Sequence, residues 1–196
     1  MQPFNAYLVF KGKSEHLTDH QHLHQDLIDR CKNGDDRAFQ ALYKLYAKAM
    51  YNVSFRITAR EEDAQDAVQE SFISAYRNIQ HYRGDSSFGA WIKRIVVNRS
   101  INILRVRRAQ LWPDDDRFDV EEPEAPEVYR EELTVERIRQ AIMNLPDGYR
   151  SVVSLYLLEG YDHEEIATIL GITESTSKSQ LNRAKARLRE QLTAKV

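Results

Sequence analysis

The stretch that most constrains this chain is Tyr161 to Arg189, YDHEEIATILGITESTSKSQLNRAKARLR. Ile166, Ala167, Ile169 and Leu170 give a short first helix one apolar face. Gly171 follows where a helix end needs a residue that tolerates positive φ. Ile172 then plugs the core, and Thr173 or Ser175 caps a second helix with Glu174 in its first turn. That second helix carries Lys178, Arg183, Lys185, Arg187 and Arg189, while Leu181, Ala184 and Leu188 recur at helical spacing as its buried stripe. Small Ala167 lets the two helices approach closely. The pattern predicts a helix-turn-helix with its second helix in the DNA major groove. A helix–Gly–helix alone fits any helical hairpin; the basic second helix behind small polar residues points to nucleic acid.

A net charge of −2 argues against a nucleic-acid protein only until the charges are placed along the chain. From Arg83 to Arg108, seven positive residues stand against Asp85. From Asp114 to Glu132, ten acidic residues stand against Arg117 and Arg130, and from Glu174 to Val196 six positive residues face two acidic ones. Two basic patches with a solvated acidic stretch between them suit a polyanion binder with two sites. Few Gly and Pro favour an all-α chain of two small domains. No apolar run approaches the ~20 residues of a membrane span, and the start, MQPFNAYLVFKGK, has no basic leader or cleavage site. The single cysteine, Cys31, leaves no internal disulfide and fits a reducing cytosol.

Residues 1–19 lack periodicity and are expected to be a poorly ordered extension. His16, His20, His22 and His24 raise the thought of a metal, but no cysteine or companion motif completes a tetrahedral set, so none is expected. Helices are expected over Asp19–Lys32, from Asp35 or Asp36 through Phe55, and over Glu61–Ile79. The second has a wide stripe that includes Phe39, Leu42, Tyr43, Leu45, Tyr46, Met50 and Val53. The third turns Ala64, Val68, Phe72, Ile73 and Tyr76 inward. Its acids continue past the first turn to Asp66 and Glu70, beyond what the helix dipole rewards, which suggests a partner surface. HYRGDSS (81–87) is a loop. Phe88–Arg108 is a helix whose packing face is Phe88, Trp91, Ile92, Ile95, Val96, Ile101 and Leu104, with Asn98 and Asn102 standing off it among Lys93, Arg94, Arg99, Arg105, Arg107 and Arg108. Cations hold phosphates, aromatics stack on unstacked bases and amides read base edges. Residues 109–129, with three prolines and dense acid, form a linker that spans at most roughly 70 Å, about two turns of B-DNA. Helices over Arg130–Asn144, burying Leu133, Ile138, Ala141 and Ile142, and over Pro146–Glu159, burying Val152, Val153, Leu155, Tyr156 and Leu158, lead into the helix-turn-helix.

The runs AFQALYKLY, EEDAQDAVQESFISAYRNIQHYRGDSSFGAWIKRIVVNRSINILR, LPDGYRSVVSLYLLEGYDHEEIATILGI and TSKSQLNRAKARLR together resemble bacterial alternative sigma factors of the extracytoplasmic-function (ECF) class, in the sigma-70 family, over about residues 20–195. The resemblance implies a region 2 domain (20–108) and a region 4 domain (130–196). It implies docking of Asp63, Asp66, Gln69 and Glu70 on the clamp helices of the RNA polymerase largest subunit. It implies opening of the minus-ten element by the loop and fourth helix through Tyr82, Arg83, Asp85, Ser86, Phe88, Trp91, Lys93, Arg94, Asn98 and Asn102. The minus-thirty-five element would be read by Lys178, Ser179, Asn182 and Arg183, with Thr176, Lys185 and Arg187 nearer phosphates. Ser177 stands where Val is common in this class, implying looser packing under the recognition helix.

The resemblance further implies a cytoplasmic, non-catalytic initiation factor that needs no cofactor and has as partners core RNA polymerase (clamp helices and flap), promoter DNA and an anti-sigma factor. No Gly-rich phosphate loop, nucleophile–base pair or metal cluster is legible. The competing reading is a helix-turn-helix regulator that never joins the polymerase. It shares Tyr161–Arg189 but gives no reason for the acidic third helix or the basic, aromatic fourth.

Overall fold

The structure is a computed structural model that describes residues 24–111 and 134–193, with side chains described through Arg107 in the first segment. The expectations for residues 1–19, for His16, His20 and His22 and for the acidic linker lie outside the described residues. Among those described, every regular element is helical, and the all-α expectation stands.

The first domain is built from α1 (Gln25–Lys32), α2 (Asp36–Thr58), α3 (Glu61–Arg77), a 3-10 turn (Ile79–His81) and α4 (Phe88–Leu111). Asp35 caps α2 by accepting from the Arg37 and Ala38 amides, and Arg30 clasps the same carboxylate. α3 has no side-chain cap; Glu61, Glu62 and Asp63 meet its exposed N–H groups electrostatically instead. Ile28, Leu42, Phe72, Phe88, Ile92 and Val96 anchor the core of this domain.

The second domain is α5 (Val135–Met143), α6 (Asp147–Val153), a π-turn (Ser154–Leu158), α7 (His163–Leu170) and α8 (Glu174–Thr193). α7 opens with a capping box, the Asp162 carboxylate on the Glu165 amide and the Glu165 carboxylate on the Asp162 amide. It stops at Gly171, which takes φ 70° as expected. Thr173 caps α8 by accepting from the Thr176 amide at 3.0 Å.

A second apolar core joins the two domains. Val53 and Ile57 from α2, and Val97, Ile101 and Leu104 from α4, belong to one buried cluster with Leu145, Tyr149, Val152, Val153, Leu155, Ile166, Leu181 and Ala184. At 23 residues, α2 is about 35 Å long, so its first half serves one core and its second half the other.

Several packing expectations need correction. Ile73 and Tyr76 are not inward: they are 44% and 45% exposed. α3 meets its neighbours along the small residues Ala64, Ala67, Ser71 and Ala75, which draws the helix in and turns the adjacent positions outward. Tyr43 and Leu45 on α2 are also exposed, because a helix covered on one side buries only part of a wide stripe. In the second domain Ile138, Tyr156 and Leu158 are exposed as well. The helix expected over Pro146–Glu159 passes into a π-turn at Ser154, and the wider turn swings Tyr156, Leu157 and Leu158 off the core. Leu133 lies outside the described residues.

Candidate nucleic-acid interface

The loop before α4 is fixed from beneath. The Tyr82 hydroxyl donates to the Ser86 carbonyl at 2.6 Å, and the Lys32 ammonium donates to the Tyr82 carbonyl at 2.7 Å. Ser87 Oγ accepts from the Ala90 amide, capping α4. Tyr82, Phe88 and Trp91 form a triangle with ring centroids 5.3–5.9 Å apart. Phe88 is fully buried and Tyr82 nearly so, and burial pushes the Tyr82 phenol up from its usual range. These two aromatics are therefore the floor of the loop, not part of its outer face. Arg83, Asp85 and Ser86 are exposed above them and Trp91 is half-buried at the edge.

At about 100° per residue, Trp91, Asn98 and Asn102 fall within about 40° of one another on α4. Both amides are exposed. Arg105 donates to the Asn102 side-chain carbonyl at 3.2 Å, which commits that oxygen and leaves the amide N–H groups outward. Arg94 is exposed on the flank of this face. Lys93 points the other way, toward the second domain. Its ammonium is 3.3 Å from Glu159 and lies over the Tyr161 ring.

On α3, Asp66, Gln69 and Glu70 are exposed. Glu70 pairs with Arg99 of α4. Asp63 is drawn into a different arrangement: Arg107 of α4 donates to Asp63 at 2.7 Å through Nη1 and to Asp147 of α6 at 2.7 Å through Nη2. Burial opposes ionisation of Asp147, but hydrogen bonds from Arg107 and Arg150 outweigh it and hold the carboxyl below its usual range.

α8 presents its face cleanly. Ser177, Leu181 and Ala184 are buried; Ser175, Lys178, Ser179 and Asn182 are exposed on the opposite side, with Arg183 and Thr176 half-buried beside them. Lys178 pairs with Glu174 at 2.6 Å, one turn back. Lys185 and Arg187 are half-buried further along. Ser177 is satisfied rather than merely small: its hydroxyl lies 2.9 Å from Nδ1 of His163, whose ring stacks on Tyr156.

The sequence put the basic set on α8 but Trp91 on the packing face of α4, apart from Asn98 and Asn102; in the helix Trp91 is half-buried at the edge of the face that carries the two exposed amides. Sequence reasoning did not find Arg107, Asp147, Arg150, Glu159 and Tyr161, which meet between the domains. Their partners lie 40 to 103 positions away in the chain, beyond any local periodicity.

Two family models match the chain: Sigma-70 region 2 over residues 42–110 and Sigma-70, region 4 over residues 135–188. The RNA polymerase sigma-H factor of Pseudomonas aeruginosa is 34% identical over 175 residues, covering 82% of this chain and 89% of the relative. The ECF RNA polymerase sigma-E factor of Haemophilus influenzae is 34% identical over 183 residues, covering 88% and 94%. Among solved structures, CnrH in complex with the cytosolic domain of CnrY matches with a TM-score of 0.53 at 24% identity, over 88% of this chain and 99% of that one, a likeness of fold. With both region models in order along one chain and relatives of this identity over most of its length, the chain belongs to the ECF group of sigma-70 family RNA polymerase sigma factors.

Proposed function

We propose that this chain acts as a bipartite, non-catalytic initiation factor whose two described faces read the two promoter elements. The observation that carries this is the coexistence of an open Trp91–Asn98–Asn102 face on α4 with a separate basic, polar face on α8. α8 enters the major groove of the minus-thirty-five element, where Lys178, Ser179, Asn182 and Arg183 reach base edges and Thr176, Lys185 and Arg187 lie toward phosphates. Each good base contact there is worth about 1–3 kcal/mol of discrimination, while phosphate contacts set affinity and its salt dependence. Downstream, Arg83, Asp85 and Ser86 of the loop, Trp91 and Arg94 meet the opened minus-ten strand, with Asn98 and Asn102 offering amides to base edges. Tyr82 and Phe88 support that loop from within, and Lys93 joins the site once it leaves Glu159.

The acidic face of α3, with Asp66, Gln69 and Glu70 outward and Asp63 at its end, suits a basic surface of core polymerase. The polymerase supplies the chemistry, and this chain supplies promoter choice and strand opening in the cytoplasm. An anti-sigma factor is the regulatory partner this reading calls for: the CnrH structure holds the cytosolic domain of CnrY, and RpoE of Bartonella quintana was solved with the anti-sigma factor NepR. Among the described residues no helix is long and apolar enough to cross a membrane.

Run-off transcription with purified core polymerase on a pool of promoter fragments tests the reading. Transcripts that require this chain and come from fragments sharing two spaced motifs support it. Specific duplex binding without chain-dependent transcription would leave a regulator acting outside the holoenzyme.

A further inference from the structure

The loop before α4 is anchored by a helix that lies outside the stretch matching region 2. That match begins at residue 42, and α1 lies ahead of it. α1 is itself well seated. Ile28 and Cys31 are buried in the first core, and Arg30 clasps the carboxylate that caps α2. Its last residue, Lys32, is half-buried. A lysine in the last turn of a helix ordinarily stays with the carbonyls of its own helix end or in water. Lys32 instead reaches a carbonyl 50 positions on: it donates to Tyr82 at 2.7 Å, with its ammonium 5.6 Å from the centroid of the Tyr82 ring. The contact is returned, since the Gln80 side-chain amide donates to the Lys32 carbonyl.

The loop has little hold of its own. Among the described residues, the backbone of residues 83–86 makes no hydrogen bond to other backbone. Its two ends are tied instead to side chains beneath it, the Tyr82 carbonyl to Lys32 and the Ser86 carbonyl to the Tyr82 hydroxyl. Tyr82 takes part in both ties and is 3% exposed. Lys32 therefore fixes the residue from which Arg83, Asp85 and Ser86 stand outward.

We infer that Lys32 is a positioning residue for minus-ten recognition: it touches no base, and it pre-forms the loop that does. This rests on the reading of that loop as part of the minus-ten site. A loop ordered before the strand arrives avoids the ordering cost at binding. One hydrogen bond from a charged donor shifts an order–disorder equilibrium by about tenfold at the lower end of its range, and apparent affinity falls with the fraction of chain in the competent form. Loss of Lys32 thus weakens strand capture by up to about tenfold and leaves the faces of α3 and α8 as they are.

The test uses the full chain with Trp112→Phe, which leaves Trp91 as its one indole. The Trp91 and Tyr82 ring centroids are 5.3 Å apart, so acrylamide quenching of Trp91 fluorescence reports loop order. Lys32→Met keeps an unbranched stem and removes the donor. Quenching rises, with helicity by circular dichroism and core polymerase binding unchanged. On a promoter fragment selected by run-off transcription, permanganate-detected opening falls by up to about tenfold while duplex capture is kept, and Lys32→Arg restores part of both losses. The slope of log binding constant against log salt stays the same. A slope smaller by about one would make Lys32 a phosphate contact and overturn the inference. Unchanged quenching and opening overturn it, and so does an equal loss of opening, duplex capture and polymerase binding, which marks general destabilisation. Raised quenching with opening unchanged overturns the reading of the loop on which the inference rests. Absence of chain-dependent transcription in the parent overturns the proposed function, and quenching alone then decides whether Lys32 supports the loop. If Lys32→Met does not fold, Gln80→Ala, at an exposed position, breaks the returned contact and is read in the same way.

Discussion

The Ser177 hydroxyl lies 2.9 Å from Nδ1 of His163, joining the first turn of α7 to the buried side of α8. Ser177 is fully buried, so this contact substitutes a hydrogen bond for the apolar packing a larger residue would give. It also fixes the angle between the two helices of the helix-turn-helix. Ser177→Ala is expected to cost about 0.5–1.5 kcal/mol, the net worth of one such bond, read as a lower midpoint in chemical denaturation. No change would mean that the bond adds nothing beyond packing.

Arg150 makes a larger prediction. Its buried guanidinium bonds the Ile57 and Leu145 carbonyls and pairs with Asp147. Arg150→Met keeps much of the volume but strands those carbonyls in the interior. Breaking a buried charged network by removing one member costs about 3–5 kcal/mol, and the loss should appear in denaturation as earlier release of the second domain. Arg139, an exposed arginine of α5 paired at the surface with Glu136, provides the comparison: Arg139→Met should cost below about 1 kcal/mol.

The contrast between these two arginines shows what the sequence could carry. Helix positions, the Gly171 turn, the Thr173 cap and the amide face of α4 depend on neighbours within a few residues, so periodicity and capping residues reveal them. Arg139 and Arg150 look alike at that range. One is solvated and the other sits against Ile57, 93 residues away, and only the packing of α6 on α2 separates them. The π-turn was equally hidden: SLYLL satisfies a helical pattern, and it is the docking of Leu155 into the shared core that decides which of its side chains stay inside. Ile73 and Tyr76 went outward for a related reason, since a stripe of small residues on α3 set the approach of its neighbours.

Tyr161 gives a pH signature. Burial, reinforced by Glu159 and Glu165 and opposed by Arg94, pushes its phenol up to about 12. A raised acid pKa contributes stability that is complete below the unfolded value near 10 and is lost as pH rises toward 12. Ultraviolet titration of the folded parent and Tyr161→Phe chains should therefore differ by one phenol that ionises well above pH 10, and stability should fall between pH 10 and 12. Tyr161→Phe should flatten that fall. A phenol ionising near pH 10 in the folded state would mean that this ring is solvated.

Asn98 separates strand opening from duplex binding. It is exposed on α4, in line with Trp91 and Asn102, and carries none of the core. Asn98→Ala should leave folding unchanged and duplex binding through α8 largely intact. An amide that reads a base edge in the opened strand is worth about 1–3 kcal/mol, so open-complex formation should drop roughly 5- to 150-fold, measured by permanganate reactivity of unpaired thymines with core polymerase present. Trp91→Ala is a less clean probe, because Trp91 also closes the aromatic triangle with Tyr82 and Phe88; it should lose loop order as well as strand opening. Lys178→Ala should do the reverse, weakening duplex capture while any complex that forms still opens. Equal loss of capture and opening in Asn98→Ala would overturn the division of labour between α4 and α8.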